Sequence, residues 1–435
     1  MSEARRPCWQ PEEECMERDD LEQLQLERLE ATLSRVYRNV PFYRKRFDEI
    51  GFDPDELRSI ADLRRLPFTG KTDLRESYPY GLFAVPLRDV VRLHASGGTG
   101  SAAIVMGYTR NDIKTWSNLM ARMLVASGVT KDDVVQITFD YGLFTGAFGV
   151  HYGAERLGAS VIPISSGNSK RQIKIMQDYK TTTLVSTASY ALHLSEVMRE
   201  GGVNPNSLSL KHVLVGGETS TAAERRSIEQ ALHVTVTDNY SLSEVMGPGV
   251  AGECLERSGL HVNEDHFLVE VVDPRTLQPV PAGATGELVL TTLTKEAFPL
   301  IRYRTRDLTA VVAGPCPCGR TSVRIRGIEG RSDDMLVIRS VNVYPSQVEA
   351  VLRDVQGEEP RFQLVLERKG SLDEATVLVE VSHLFDQMRQ QAEFRDKLRR
   401  RLASELGVTL EVKLVGKKTL ESALEKGKVL DLRRR

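Results

Sequence analysis

The chain predicts an α/β fold, with a large N-terminal domain of parallel α/β sheets plus a β-rich part and a small C-terminal α/β domain. Three observations predict it. Between 134 and 238, short apolar runs alternate with helix-period runs, the pattern of a parallel sheet covered on both faces. From 267 to 312 the helices stop, and alternating strands follow one another through turns with Pro and Gly. After Gly330-Arg331-Ser332-Asp333-Asp334, about a hundred residues of smaller α/β texture close the chain. The domains are therefore expected at 1–332, including the β-rich part over about 262–330, and at 333–435. A chain of 435 residues exceeds the usual size of a single core, which agrees with this division.

Residues up to about Asp19 are polar and carry Pro7 and Pro11, so poor order is expected there. Leu21, Leu24, Leu26, Leu29, Leu33 and Val36 recur at helical spacing, and Pro41 divides that run into two helices. Thr69, after Leu66-Pro67-Phe68, is expected to cap another segment. A long helix is predicted over about 110–127. Strands are then predicted at 134–139, 160–164, 183–186, 212–215 and 235–238, with helices at about 150–157, 169–179, 190–200 and 221–232. The β-rich part should hold strands at 268–272, 287–292 and 300–304. The last part predicts strands near 335–339, 362–367, 376–381 and 410–415, and helices near 345–355 and 386–406. Asp and Glu are interspersed among the Arg and Lys of the last helix, which reads as a solvated face rather than a nucleic-acid patch.

A net charge of −2 offers no global attraction to nucleic acid or to a membrane. No apolar run reaches spanning length, and Arg5 and Arg6 lead into acidic residues rather than a signal-peptide core, so a cytoplasmic protein is expected. Five cysteines in this length do not make a disulfide framework. Cys316-Pro317-Cys318-Gly319-Arg320 is a tight pair of sulfurs on a turn, and Cys254 and His261 stand upstream. Cys₃His in two paired clusters is a structural zinc set; reduced surface cysteines are the plainer alternative. No His/Asp arrangement marks these thiols as nucleophiles. Cys8 and Cys15 are expected to stay free in the polar tail.

Within six positions, Ser96-Gly97-Gly98-Thr99-Gly100-Ser101 holds three glycines and three hydroxyls. Such a loop turns tightly and brings bare N–H groups to an anion, polyphosphate above all, although a plain surface turn has the same composition. No Lys-Ser or Lys-Thr closes it as a Walker loop requires. Ligands of parallel sheets sit at the carboxyl ends of strands. The loops there read Asp140-Tyr141-Gly142, Gly216-Gly217-Glu218-Thr219 and Asn239-Tyr240-Ser241-Leu242-Ser243-Glu244. Tyr141, Phe144 and Phe148, spaced by Gly142, Gly146 and Gly149, suit a flat ring; Phe144 and Phe148 are also four apart, as a buried helical face requires.

These loops, the β-rich part and the late Gly330–Asp334 stretch resemble the adenylate-forming superfamily, and more narrowly its phenylacetate–coenzyme A ligases. The most specific stretches are Tyr141-Gly142-Leu143-Phe144-Thr145-Gly146, His151–Ala159, Glu264-Asp265-His266-Phe267, Leu293-Thr294-Lys295-Glu296-Ala297, Ile301–Leu308 and Gly330–Met335. The resemblance implies ATP-dependent ligation of an aryl or arylacetic acid to coenzyme A through an acyl-adenylate, with release of AMP and pyrophosphate. It implies that the amides of Ser96, Gly97, Gly98, Thr99 and Gly100 hold phosphates and that Glu244 binds Mg²⁺. Ser243 then lies near the α-phosphate and Tyr240 stacks on adenine. Asn239 belongs to the same nucleotide stretch, Gly216, Gly217 and Glu218 line the adenine pocket, and Asp307, close to Arg331, accepts from ribose. Tyr141, Phe144 and Phe148 adjoin the aryl pocket. Asp333 is the hinge on which the small domain pivots between two half-reactions.

The sequence departs from the family at several points. Ser101 and Ala102 replace a Lys-Pro after Thr99-Gly100, Ser241 replaces a glycine, and Thr219 replaces a proline. The adenylating lysine is expected at Lys426 if one residue is deleted. A gapless match puts Glu425 there, and Lys428 is the third option. Two rival readings follow: an adenylyltransferase acting on a deazaflavin-type cofactor, and a nucleotide- or acyl-binding relative that has lost adenylation. The partners expected are a small carboxylic acid, ATP and coenzyme A, without nucleic acid or membrane. A homodimer is compatible with the sequence.

Overall fold

The computed structural model describes residues 7–96, 103–333, 336–339, 341–356, 360–369, 372–381, 388–416, 419–420 and 429–433. Gly97, Gly98, Thr99, Gly100 and Lys426 lie outside the described residues. The chain forms two compact units, one holding the described residues to Ser96 and from Ala103 to Ser332, the other those from Asp333 onward.

Helices Arg18–Asn39 and Pro41–Glu49 open the first unit. Pro41 begins the second of them, where its missing N–H costs no hydrogen bond. Leu29, Leu33 and Val36 form the apolar stripe and are fully buried. The N-terminal tail departs from expectation. Residues 7–16 are ordered around a short helix, Pro11–Glu14. The buried Arg320 donates to the Glu14 carboxylate at 2.7 Å, and Arg122 donates to Gln10 Oε1 at 2.8 Å. Gln10 and Glu14 thus serve buried arginines, while Glu12 and Glu17 face solvent. Thr69 does not cap a helix either: its hydroxyl donates to the Ile301 carbonyl at 2.7 Å, and the next helix is Lys71–Glu76.

The main sheet has nine strands. Its parallel part runs Ser160–Ile162, Val134–Ile137, Thr183–Ser186, His212–Gly216, Thr235–Leu242. Helices Arg110–Ala126, Gly146–Leu157, Ser169–Asp178, Ala188–Glu200 and Ala222–Leu232 connect and cover it. Thr235–Leu242 extends four residues past the expected end, so Asn239 and Tyr240 sit on the strand itself. The cause is an antiparallel partner, Gly247–Glu253, which continues the sheet to Leu260–Val262, Arg324–Ile325 and Val311–Val312. That partner is buried throughout, yet Gly247, Pro248, Gly249 and Gly252 give it no strand signature.

The β-rich part is an antiparallel sheet of Phe267–Val272, Gly286–Thr292, Tyr303–Thr309 and Gly330–Arg331. The third strand starts three residues later than expected, because Leu300 and Ile301 turn inward as core residues. In the second unit, Glu411–Val415, Leu372–Glu380, Phe362–Lys369 and Val429–Asp431 form one sheet. Helices Pro345–Gln356 and Met388–Leu406 pack on it through Val348, Leu352, Leu398 and Leu402.

Candidate active site

The strand Arg92–Ser96 pairs antiparallel with Ile104–Tyr108, and the glycine loop joins them. Alternation puts Arg92, His94 and Ser96 on one face. Ser96 Oγ donates to Glu244 Oε1 at 2.8 Å. Glu244 is 3% exposed and stands in the turn between Leu242 and Gly247. Gly247 has φ +108°, and a Cβ there would lie 2.7 Å from Trp116, so only glycine closes this turn. Lys71 Nζ lies 3.5 Å from Glu244 Oε1. Burial opposes the charge on Glu244, but Lys71, a backbone N–H and Ser96 outweigh it and hold the carboxyl below its ordinary range.

Tyr240, Asp307 and Arg331 meet in one cluster. The Tyr240 hydroxyl donates to Asp307 Oδ2 at 2.6 Å, and Arg331 pairs with Oδ1. The neighbouring Arg306 pairs with Glu287 at 3.6 Å. A Cβ on Gly216 would lie 2.6 Å from Asn239 Nδ2, which explains a glycine beside that amide. Asn239 Oδ1 is buried and has no hydrogen-bond partner among the described residues. Gly217 takes φ +77°, and Glu218 accepts the Ser189 N–H at 2.7 Å.

Tyr141 and Phe148 meet edge to face, with centroids 5.2 Å apart. Phe144 precedes the helix Gly146–Leu157, so the two phenylalanines do not share a helical face. Phe144 fills the space over Gly146, where a Cβ would lie 2.7 Å from its ring. Phe148 also stacks with Tyr152, and Arg92 lies over both rings at 4.8 and 4.9 Å.

Three further residues escaped the sequence reading. Lys71 carries no local motif; only the fold brings it to Glu244. Thr145 shares a 2.8 Å hydrogen bond with Ser243 and so ties the aromatic turn to the Glu244 turn. Its signal was its place in the Tyr141–Gly146 stretch. Lys295 is 2% exposed, with Nζ 3.0 Å from the Tyr108 ring centroid and 3.9 Å from Met246 Sδ. Burial pushes its ammonium down to about 7, against the pull of Asp112.

The sulfur cluster forms a second site in the same unit. The ligand atoms of Cys254, His261, Cys316 and Cys318 all lie within 4.8 Å of one another, and all four residues are buried. Cys254 Sγ is 3.7 Å from Cys316 Sγ, and Cys318 Sγ is 3.5 Å from His261 Nε2. A tetrahedron with ~2.3 Å metal–sulfur and ~2.0 Å metal–nitrogen bonds requires edges of about 3.8 and about 3.5 Å. The donor set therefore fits zinc in kind and in spacing. Asp333 opens the second unit.

Among the described residues, no helix is long and apolar enough to cross a membrane. The AMP-binding enzyme family matches residues 90–293, and the AMP-binding enzyme C-terminal domain matches 340–433. A phenylacetate–coenzyme A ligase of Thermus thermophilus is 46% identical over 98% of this chain and 100% of its own length. The Escherichia coli phenylacetate–coenzyme A ligase is 46% identical, covering 95% of each chain. The crystal structure of 2-hydroxyisobutyryl-CoA ligase in complex with 2-HIB-AMP and CoA, in its thioesterification state, has a TM-score of 0.92 at 32% identity. It covers 97% of this chain and 92% of that one. With both family matches in chain order and identity this high over the full length, the chain belongs to the phenylacetate–coenzyme A ligase family of AMP-binding enzymes.

Proposed function

We propose that the protein ligates phenylacetate, or an aryl acid close to it, to coenzyme A. ATP first activates the acid as an acyl-adenylate with release of pyrophosphate, and the thiol then displaces AMP. The observation that carries this reading is the 46% identity to phenylacetate–coenzyme A ligases over the whole chain. Local geometry supports the residue roles. Asn239 Oδ1, an acceptor in want of a donor beside the bare Gly216, suits the adenine amino group. Tyr240 supplies the adjoining ring and Glu218 the adjoining wall. Asp307, fixed from both sides by Tyr240 and Arg331, would accept from the ribose hydroxyls. Ser243 would face the α-phosphate.

The residues around Glu244 fit a divalent ion carried with ATP. Glu244 would hold Mg²⁺, which supplies charge neutralisation between phosphate oxygens. Ser96 orients that carboxylate. Lys71 answers the missing loop lysine: with serine at 101, it brings an ammonium to the phosphate end from another element. Tyr141, Phe144 and Phe148 would enclose the acid's ring. Lys426 would serve adenylation and Asp333 would act as the hinge. A structural zinc would be held by Cys254, His261, Cys316 and Cys318.

The test is a panel of acids assayed for AMP, pyrophosphate and thioester. Aryl-acid-dependent thioester with free AMP is the expected result. AMP retained on the product would favour the adenylyltransferase reading, and no pyrophosphate with any acid would favour a non-adenylating relative.

A further inference from the structure

His94 is the residue through which the phosphate hairpin grips the acid-binding turn. Its side chain is 2% exposed and lies edge-on to Tyr108, Trp116 and Phe148, with centroids 5.5, 5.9 and 5.6 Å away. Its Nδ1 is 3.0 Å from the Leu143 carbonyl, which also accepts the Ala95 N–H at 3.0 Å. A carbonyl can only accept, so Nδ1 carries the proton. Leu143 lies midway between Tyr141 and Thr145, and it is 61% exposed, so the middle of this turn is held through its backbone and not through the Leu143 side chain. Two N–H donors from the strand Arg92–Ser96 hold that middle, while Thr145 fastens the end of the turn to Ser243.

Two residues along the same strand face, Ser96 bonds Glu244. A strand advances ~3.3 Å per residue, so the two grips stand about 7 Å apart on one rigid element. Burial lowers the imidazole to about 4, and Arg92 and Lys295 act in the same direction, so the ring is neutral at physiological pH.

We propose that His94 is a positioning and specificity-determining residue: it sets the distance between the aryl-binding turn and the Glu244 site, and so sets which length of aryl acid presents its carboxylate for adenylation. A carboxylate misplaced by about 1 Å loses rate by up to ~10²-fold. Phe148 packs on the same imidazole, so the ring wall and the turn shift together when His94 changes. This inference rests on the ligase reading above.

Three variants test it with pyrophosphate exchange. His94→Asn keeps an amide donor where Nδ1 stands. His94→Gln moves that donor to where Nε2 stands, and His94→Phe keeps the ring and loses the donor. The expected result is a kcat/KM for phenylacetate lowered by about tenfold or more in the Gln and Phe variants, chiefly through kcat. Their preference for phenylacetate over benzoate, one methylene shorter, should shrink, and KM for ATP should stay within about twofold. His94→Asn should recover most of both losses. Wild-type acid preference in the Gln and Phe variants would overturn the proposal, as would an Asn variant no better than Gln. If the wild-type protein gives no aryl-acid-dependent exchange, the ligase reading itself fails and this inference falls with it.

Discussion

Replacing Lys71 by methionine tests the electrostatics at Glu244 most directly. The lysine's side chain is 16% exposed and the carboxylate's 4%, with 3.5 Å between them. Methionine keeps the stem's volume and removes the charge. Glu244 then retains only Ser96 and a backbone N–H against its burial. Breaking a buried pair from one side costs about 3–5 kcal/mol, and partial exposure of Lys71 argues for the lower end, about 3. At roughly 2 °C per kcal/mol for a large domain, the melting temperature should fall by about 6 °C at pH 7.5.

The sign with pH follows from the carboxyl. In the wild type its folded pKa is depressed, so its stabilisation is present above the unfolded value and is lost as pH falls through the folded value. Without Lys71, burial dominates and the folded pKa rises. The variant is then penalised above the unfolded value of ~4.3 and relieved below it. The gap in melting temperature between the two proteins should therefore narrow from pH 7.5 toward pH 4. Adenylation should fall by ~10²-fold or more, as for loss of one preorganised group facing developing charge. Thermal melts across pH and pyrophosphate exchange at pH 7.5 measure both. A gap that is constant with pH, or wild-type exchange in the variant, would refute the reasoning.

Elemental analysis under reducing conditions should find one zinc per chain, and a chelator should lower the melting temperature more than it slows the chemical step. Replacing Phe148 by alanine should shift preference toward bulkier aryl acids while KM for ATP stays unchanged, read from a panel of acids; long fatty acids outperforming every aryl acid in the wild type would sink the pocket assignment. Lys426→Ala should suppress acyl-adenylate formation but leave thioester formation from supplied acyl-adenylate nearly intact, and equal loss of both half-reactions would count against the assignment.

The parallel core was legible because its strands are short apolar runs between helices with clear caps. Thr221, for example, caps Ala222–Leu232 and accepts the Glu224 N–H. Gly247–Glu253 was not legible, because it is a strand by partnership and not by propensity. Its glycines pass close under Trp116, Leu119 and Met123, which a local reading cannot weigh. The N-terminal tail shows the converse error. Its polarity reads as solvation, but Glu14 and Gln10 answer Arg320 and Arg122, more than a hundred residues away.

The candidate site divides along the same line. Glu244, Tyr240 and Asp307 were singled out in sequence because each lies in a stretch that resembles the family. Lys71 and His94 act through partners 173 and 49 residues away, and Thr145 through one 98 residues away. The departures from the family pattern belong to this second group. A loop without its lysine suggests a weakened phosphate site when the loop is considered alone. With Lys71 against Glu244, a cation stands beside the carboxylate proposed to hold Mg²⁺, on an element whose entry residue Thr69 is fastened by backbone hydrogen bonds to Arg302 and Arg304. A lysine held by nothing loses side-chain entropy on every encounter with ATP. One already paired with its acid has met much of that cost in folding. If Glu244 marks the phosphate end as proposed, Lys71 supplies positive charge there, and the ligase reading does not require a lysine in place of Ser101.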